Sequence, residues 1–336
     1  MSAVTEREDA RVSPAGRAWV SWSELERWAL PLLLLGSFAF FALNATTSDT
    51  FLSTPNLRNV LGSQAVIGVL ALASLPPLIA REFDLSVGAV CVLASIVIAK
   101  CMADLSLPLG VAILAGVGVG AAIGLMNGWL VAYLRVNALI ATLGVSTVIT
   151  GVVQATTDGN SIVSGISADL VAFGIGNWLG IPRTVYALAL VGALIAYLLA
   201  QTPYGRYLHF VGSSPASTRL VGVSVERTVL GSFVIAGVLA GLAGALLIAQ
   251  NGNATPQPGA ELTLTAISAA FLGATAIRPG RFNVVGTIIA IFFLAFSVNG
   301  LTLLGVEAWI NGVFTGAALV VAVAIAALLG RRGTEA

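Results

Sequence analysis

Lysine occurs once in these 336 residues, at position 100, and histidine once, at position 209. Charged side chains make up 9% of the chain, against roughly 25% in soluble domains, so a solvated globular surface cannot be assembled from it. Lys100 follows no glycine-rich loop and no Gly-Lys pair opens a helix, which excludes a phosphate-cradling P-loop and with it ATP hydrolysis by this polypeptide. His209 has no companions at metal-ligand spacing, so no metal site is expected. No nucleophile stands beside a base and an orienting group, so no catalytic residue is assigned. Cys91 and Cys101 sit in or at the edge of one apolar segment and read as small buried residues rather than a disulfide framework. Met1–Arg27 lacks the compact basic region, apolar run and small-residue cleavage site of a secretory signal. It reads instead as a cytosolic tail whose tryptophans, Trp19, Trp22 and then Trp28, approach the headgroup layer.

Apolar side chains are what the chain has in excess, at 57% with a mean hydropathy of +0.97. The fold class is therefore an all-α polytopic membrane protein. A span needs roughly 20 apolar residues, fewer if the helix is broken. On that basis ten are expected, at about Ala29–Asn44, Val60–Ala80, Leu85–Cys101, Leu107–Val131, Ala138–Thr156, Thr184–Ala200, Val229–Ala249, Leu262–Ile277, Val284–Val298 and Ala308–Leu329. The organisation is then a tail at 1–28, a membrane domain at 29–330 interrupted by a polar stretch at 202–228, and a tail at 331–336. An even count puts both termini on one side.

Charge tests that count independently. With the amino terminus inside, 13 of the 16 basic residues fall on cytoplasmic segments: Arg7, Arg11, Arg17, Arg27, Arg81, Arg135, Arg206, Arg219, Arg227, Arg278, Arg281, Arg331 and Arg332. Only Arg58, Lys100 and Arg183 fall on or near the outer face, the asymmetry that the positive-inside bias predicts. Within the cytoplasmic stretch Thr202–Arg227, the run from Pro215 to Gly222 predicts a short helix. Ser213 or Ser214 caps it, Pro215 fits its first turn and Gly222 stops it.

No acid can be assigned to a span centre, whereas ion-coupled carriers place ionisable groups there, so the driving force is expected from elsewhere. Glycines three or four apart, as in Gly116, Gly120 and Gly124 or Gly237, Gly241 and Gly244, predict closely packed helices. The two halves of the chain also echo each other at offsets of roughly 170 to 177 residues. Gly62–Gly68 matches Gly231–Gly237, Asp84-Leu-Ser-Val87 matches Glu261-Leu-Thr-Leu264, and Asn127-Gly128 matches Asn299-Gly300. Five spans apart, these predict a five-plus-five inverted repeat, a transporter architecture.

Seven motifs then follow one another in the order found in ribose-type permeases. They are Phe83-Asp-Leu-Ser-Val-Gly88, Asn127-Gly-Trp-Leu-Val131, Ala141-Thr-Leu-Gly144, Gly205 through Pro215 to Gly222, Pro258-Gly-Ala-Glu-Leu262, Gly286-Thr287, and Asn299 to Gly305. From about Phe51 to Leu329 the chain resembles the membrane subunit of a bacterial ABC importer of the monosaccharide family, related more distantly to branched-chain amino acid permeases. The resemblance implies a multi-pass protein of the bacterial inner (plasma) membrane, forming the pathway for a sugar or sugar-like solute. It also implies a second permease subunit, identical or not, cytoplasmic ABC ATPase subunits that carry ATP and magnesium, and an extracytoplasmic solute-binding protein. This chain itself would bind no cofactor and no nucleic acid.

The resemblance further implies that the stretch around Pro215 is the helix seated in the ATPase, with Ser214, Pro215, Ala216, Arg219, Leu220 and Gly222 as coupling residues. Ser213 and Ser214 replace the family's Gly-Asn, and Ser217 and Thr218 replace alanines. Further departures lie at Ala80–Phe83 and Gly273–Gly280. For Arg219, two readings stand, a contact to an acidic lip of the ATPase or a solvated cytoplasmic charge. Asp84 and Glu261 either line the mouths of the pathway or cap helix amino termini. Asn127 and Asn299 either offer amides to a passing solute or bond neighbouring helices. The rivals to an importer subunit are a permease for a non-sugar solute such as a branched-chain amino acid, a self-contained carrier or channel, and a membrane scaffold.

Overall fold

The computed structural model describes residues 22–332, with side chains from 27 to 324. The expected tails at 1–28 and 331–336 lie largely outside those bounds, as does Trp19. In chain order the described residues form α1 (Trp22–Leu43), α2 (Ser48–Phe51), α3 (Thr54–Ile79), α4 (Val87–Ala103), α5 (Leu109–Ala132), α6 (Ala138–Thr157) and α7 (Ala168–Ile175). A two-stranded hairpin, β1 (Asn177–Trp178) and β2 (Ile181–Pro182), comes next. The chain continues as α8 (Arg183–Gln201), α9 (Pro203–Ser213), α10 (Pro215–Leu220), α11 (Val225–Asn251), α12 (Ala260–Gly273), α13 (Val284–Leu303) and α14 (Trp309–Arg332).

Each of the ten apolar segments coincides with a helix. Among the described residues six helices, α3, α5, α6, α8, α11 and α13, are long and apolar enough to cross a membrane. The apolar parts of α1, α4, α12 and α14 are shorter. The chain is thus an all-α polytopic membrane protein.

Boundaries move where polar caps decide them. α11 begins at Val225 rather than Val229, because Ser224 Oγ accepts the Arg227 N–H at 3.4 Å. α12 stops at Gly273 rather than Ile277, because the chain turns sharply there, with positive φ at Ile277 and Gly280. The Asn283 amide donates to the carbonyls of Gly273, Ala276 and Arg281 and so fixes that turn. The polar stretch at 202–228, expected as a loop with one short helix, holds a second helix, α9. Thr202 caps it at 3.2 Å, Pro203 opens it, and Gly205, Leu208, Val211 and Gly212 form its buried stripe.

The order and spacing of the helices echo between the two halves of the chain. The starts of α3, α4, α5 and α6 precede those of α11, α12, α13 and α14 by 171 to 175 residues. α4 packs on α5, α6 and α11, and its counterpart α12 packs on α13, α14 and α3. The most extensive contact joins α5 to α11, where a Cβ at Gly120 would meet the Gly237 carbonyl and one at Gly237 would meet the Gly120 carbonyl. The glycine spacing is therefore a packing device, as expected. In the other half an aromatic cluster of Phe38, Phe41, Phe51 and Phe296 binds α1 and α2 to α13.

Candidate functional site

Among the places where polar side chains gather in the described residues, three hold the residues singled out from the sequence. The first is α10. Ser214 ends α9 by donating its N–H to Phe210 and starts α10, where its Oγ accepts the Ser217 N–H at 3.3 Å. Pro215 occupies the first turn, Pro215, Ala216 and Ser217 are exposed, and Leu220 is 89% exposed. Thr218, by contrast, is buried, its hydroxyl donating to the Ser214 carbonyl at 2.7 Å, so this departure from the family pattern faces inward. Gly222 turns the chain with a φ of +81°, a conformation that glycine adopts at least cost. Arg219 Nη2 donates to Glu226 Oε1 at 2.7 Å across that turn.

The second place is a junction where α4 and α12 meet by their amino-terminal ends. These helices hold 17 and 14 residues, about 25 and 21 Å at 1.5 Å per residue, short of a hydrocarbon core of about 30 Å. The Gly88 N–H donates to Thr263 Oγ1 at 2.9 Å, and the Gly259 carbonyl sits where a Gly88 side chain would be. The approach segment Phe83–Ser86 is fixed by buried side chains from two other helices. Thr142 on α6 accepts the Leu85 N–H at 3.0 Å and donates to the carbonyls of Ala138 and Phe83. Asn127 on α5 donates to Ser86 Oγ at 2.8 Å.

Asp84 Oδ1 accepts both the backbone N–H and the hydroxyl of Ser86, at 2.9 and 2.6 Å. In this loop between α3 and α4, burial pushes the Asp84 carboxyl above its ordinary range, and the Ser86 bonds pull it back. Asn127 Oδ1 has no hydrogen-bond partner among the described residues. Asp84 and Asn127 thus belong to one buried cluster with Ser86.

The third place is a cavity of about 440 Å³ between α3, α12, α13 and α14. Glu261 and Asn299 line it, together with Asn59, Gln64, Thr302 and Asn311, and no lysine or arginine among the described residues does. Asn299 also exchanges two 3.0 Å amide bonds with Asn56 at the head of α3, so it bonds a neighbouring helix while facing the cavity. Asn127 and Asn299, 172 residues apart, hold similar places counted from the helix ends, five and four residues before the last residues of α5 and α13. Asp84 and Glu261 do not: Asp84 precedes the first residue of α4 by three, whereas Glu261 is the second residue of α12. The match between their motifs is therefore out of helical register by four residues.

Ser86, Asn56, Thr142 and Thr263 escaped the sequence reading. A hydroxyl or amide in an apolar run has no local mark of its partner. Ser86 and Thr263, lying inside the two matched motifs, and Thr142, inside Ala141-Thr-Leu-Gly144, carried a signal that could have singled them out.

The profile of the family described as branched-chain amino acid transport system / permease component matches residues 56–323. The ribose import permease protein of Escherichia coli (strain K12) is 34% identical over 295 residues, covering 87% of this chain and 92% of that protein. The D-allose transport system permease protein of the same organism is 30% identical over 301 residues, covering 88% and 92%. The L-arabinose ABC transporter permease protein of Azospirillum brasilense is 29% identical over 317 residues, covering 94% and 91%. No solved structure matches the chain. With a profile spanning most of its length and a relative this similar from end to end, the chain belongs to the family of branched-chain amino acid transport system permease components.

Proposed function

We propose that this chain is the membrane-spanning permease subunit of an ATP-binding cassette importer and that it carries a sugar or sugar-like solute. The observation that carries this reading is the end-to-end similarity to proteins named for ribose, D-allose and L-arabinose. The cavity supports it chemically. Amides and hydroxyls with one carboxylate suit an uncharged polyhydroxylated solute, whereas an amino acid brings a carboxylate for which no lysine or arginine among the described residues lines the space. The chain sits in the bacterial inner membrane. Ten spans with both termini cytoplasmic are the reading that the basic residues favour.

The work is done elsewhere in the assembly. Separate ATPase subunits hold ATP and magnesium, a soluble binding protein delivers the solute, and a second permease subunit stands beside this one. Movement of the ATPase subunits displaces α10, and the two repeats respond by opening the route alternately to either side, without a covalent step.

The test is uptake into proteoliposomes containing the chain with its ATPase and binding protein, using radiolabelled ribose, allose, arabinose and leucine. ATP-dependent uptake of a sugar is expected, with none from the chain alone. Leucine uptake in place of sugar uptake would overturn the solute class, and uphill accumulation by the chain alone would overturn the importer. Leu220→Asp is expected to reduce uptake on the order of tenfold, the loss given by about 1.4 kcal/mol at an apolar contact.

A further inference from the structure

In an importer of this kind a push on α10 must reach the membrane helices. α10 is six residues long and packs mainly on α9 and α11. The covalent link from α10 to α11 passes through Gly222, whose turn is the kind of backbone that pivots rather than pushes. The Arg219–Glu226 ion pair spans that pivot. Glu226 is the single acid between residues 202 and 228, and it stands in the first turn of α11, where a helix favours negative charge. Arg135, after α5, attracts the same carboxylate more weakly.

Beyond Glu226 the helices are closely packed. α11 is seated on α5 through backbone contacts at Gly128 against Leu230, Gly124 against Phe233 and Gly120 against Gly237. α5 carries Asn127, which holds Ser86, two residues before Gly88 of the Gly88–Thr263 junction, and through it Asp84.

We infer, resting on the importer reading, that Glu226 is a positioning residue for transport: its ion pair with Arg219 makes α10 and α11 move as one body across the Gly222 turn. A displacement of α10 is thereby delivered to the α5–α11 pair and on to the junction. This gives Arg219 a partner within its own chain and separates it from a role on an acidic lip of the ATPase.

The test uses the permease–ATPase complex in nanodiscs, with Cys91 and Cys101 replaced by alanine and a reporter cysteine at the cavity position Thr302 (T302C). The maleimide labelling rate at the reporter is measured with and without trapping by ATP plus vanadate, and the change is expressed per trapped nucleotide. R219Q and E226Q are each expected to shrink the change by up to about fivefold, the range of an exposed ion pair. The double variant R219Q/E226Q should be no worse than either, and E226D should retain part of the response. Thermal midpoints should match the parent, since both groups are partly exposed.

A wild-type response in E226Q would overturn the proposal and return Arg219 to the ATPase surface. Losses that multiply in the double variant would overturn it as well. A parent complex that shows no response, or an L220D complex that keeps it, would instead overturn the importer reading beneath it.

Discussion

Asp84 serves two donors from one neighbour, the N–H and hydroxyl of Ser86, in a place where little else competes for it. Its oxygen is what the local backbone requires, and its charge is incidental to that requirement. Asp84→Ala leaves two buried donors without an acceptor, a loss of about 1 to 3 kcal/mol for such groups, whereas Asp84→Asn keeps an oxygen in place. At about 2 to 4 °C per kcal/mol or somewhat less for a chain this long, D84A is expected to melt a few degrees below the parent in detergent, and D84N by clearly less. Equal losses in the two variants would mean that the carboxylate charge itself is needed. The same logic separates Asp84 from Glu261, which is exposed to the cavity and has no comparable duty to the backbone.

At the scale of helices, glycine content divides α5 into two faces. Gly120 lies against the Gly237 carbonyl, whereas Gly118, two residues away, has nothing within 4 Å of an added Cβ. Gly118→Ala should therefore raise helix stability by about 0.5 to 1 kcal/mol, the ordinary advantage of alanine. Gly120→Ala must push α11 away and should lower the thermal midpoint and the yield of folded protein. If G120A melted with G118A, the α5–α11 contact would not be the tight one described. This face was legible in the sequence because the three- and four-residue spacing of small residues is a local pattern. The ten apolar segments and the Ser214-capped helix at Pro215 were legible for the same reason. α9 was missed: its Thr202-Pro203 start is a local signal, but a polar composition between two apolar runs masked it. The pairs Asn56–Asn299 and Gly88–Thr263 were not legible, since 243 and 175 residues separate their members and nothing local names a distant partner.

Taken whole, the molecule is two similar halves whose short helices meet end to end, and the meeting point is where it should be most sensitive. The first N–H groups of any helix lack partners within it, and inside an apolar bundle water does not supply them. Thr263 meets this need for α4 from the opposite half, accepting the Gly88 N–H while its own hydroxyl donates to the Gly259 carbonyl. Thr263→Val preserves shape and removes both bonds, stranding a buried donor. It is expected to cost about 1 to 3 kcal/mol. Thr263→Ser keeps the hydroxyl, loses one methyl group and should cost about 1 kcal/mol. Melting of the purified chain in detergent, with T263V, T263S and the parent side by side, decides between two pictures of how the halves are joined. A larger loss in T263V than in T263S assigns the joint to this hydrogen bond. Equal losses would leave shape and burial alone holding α4 to α12, and the junction would then be a packing contact free to slide during transport.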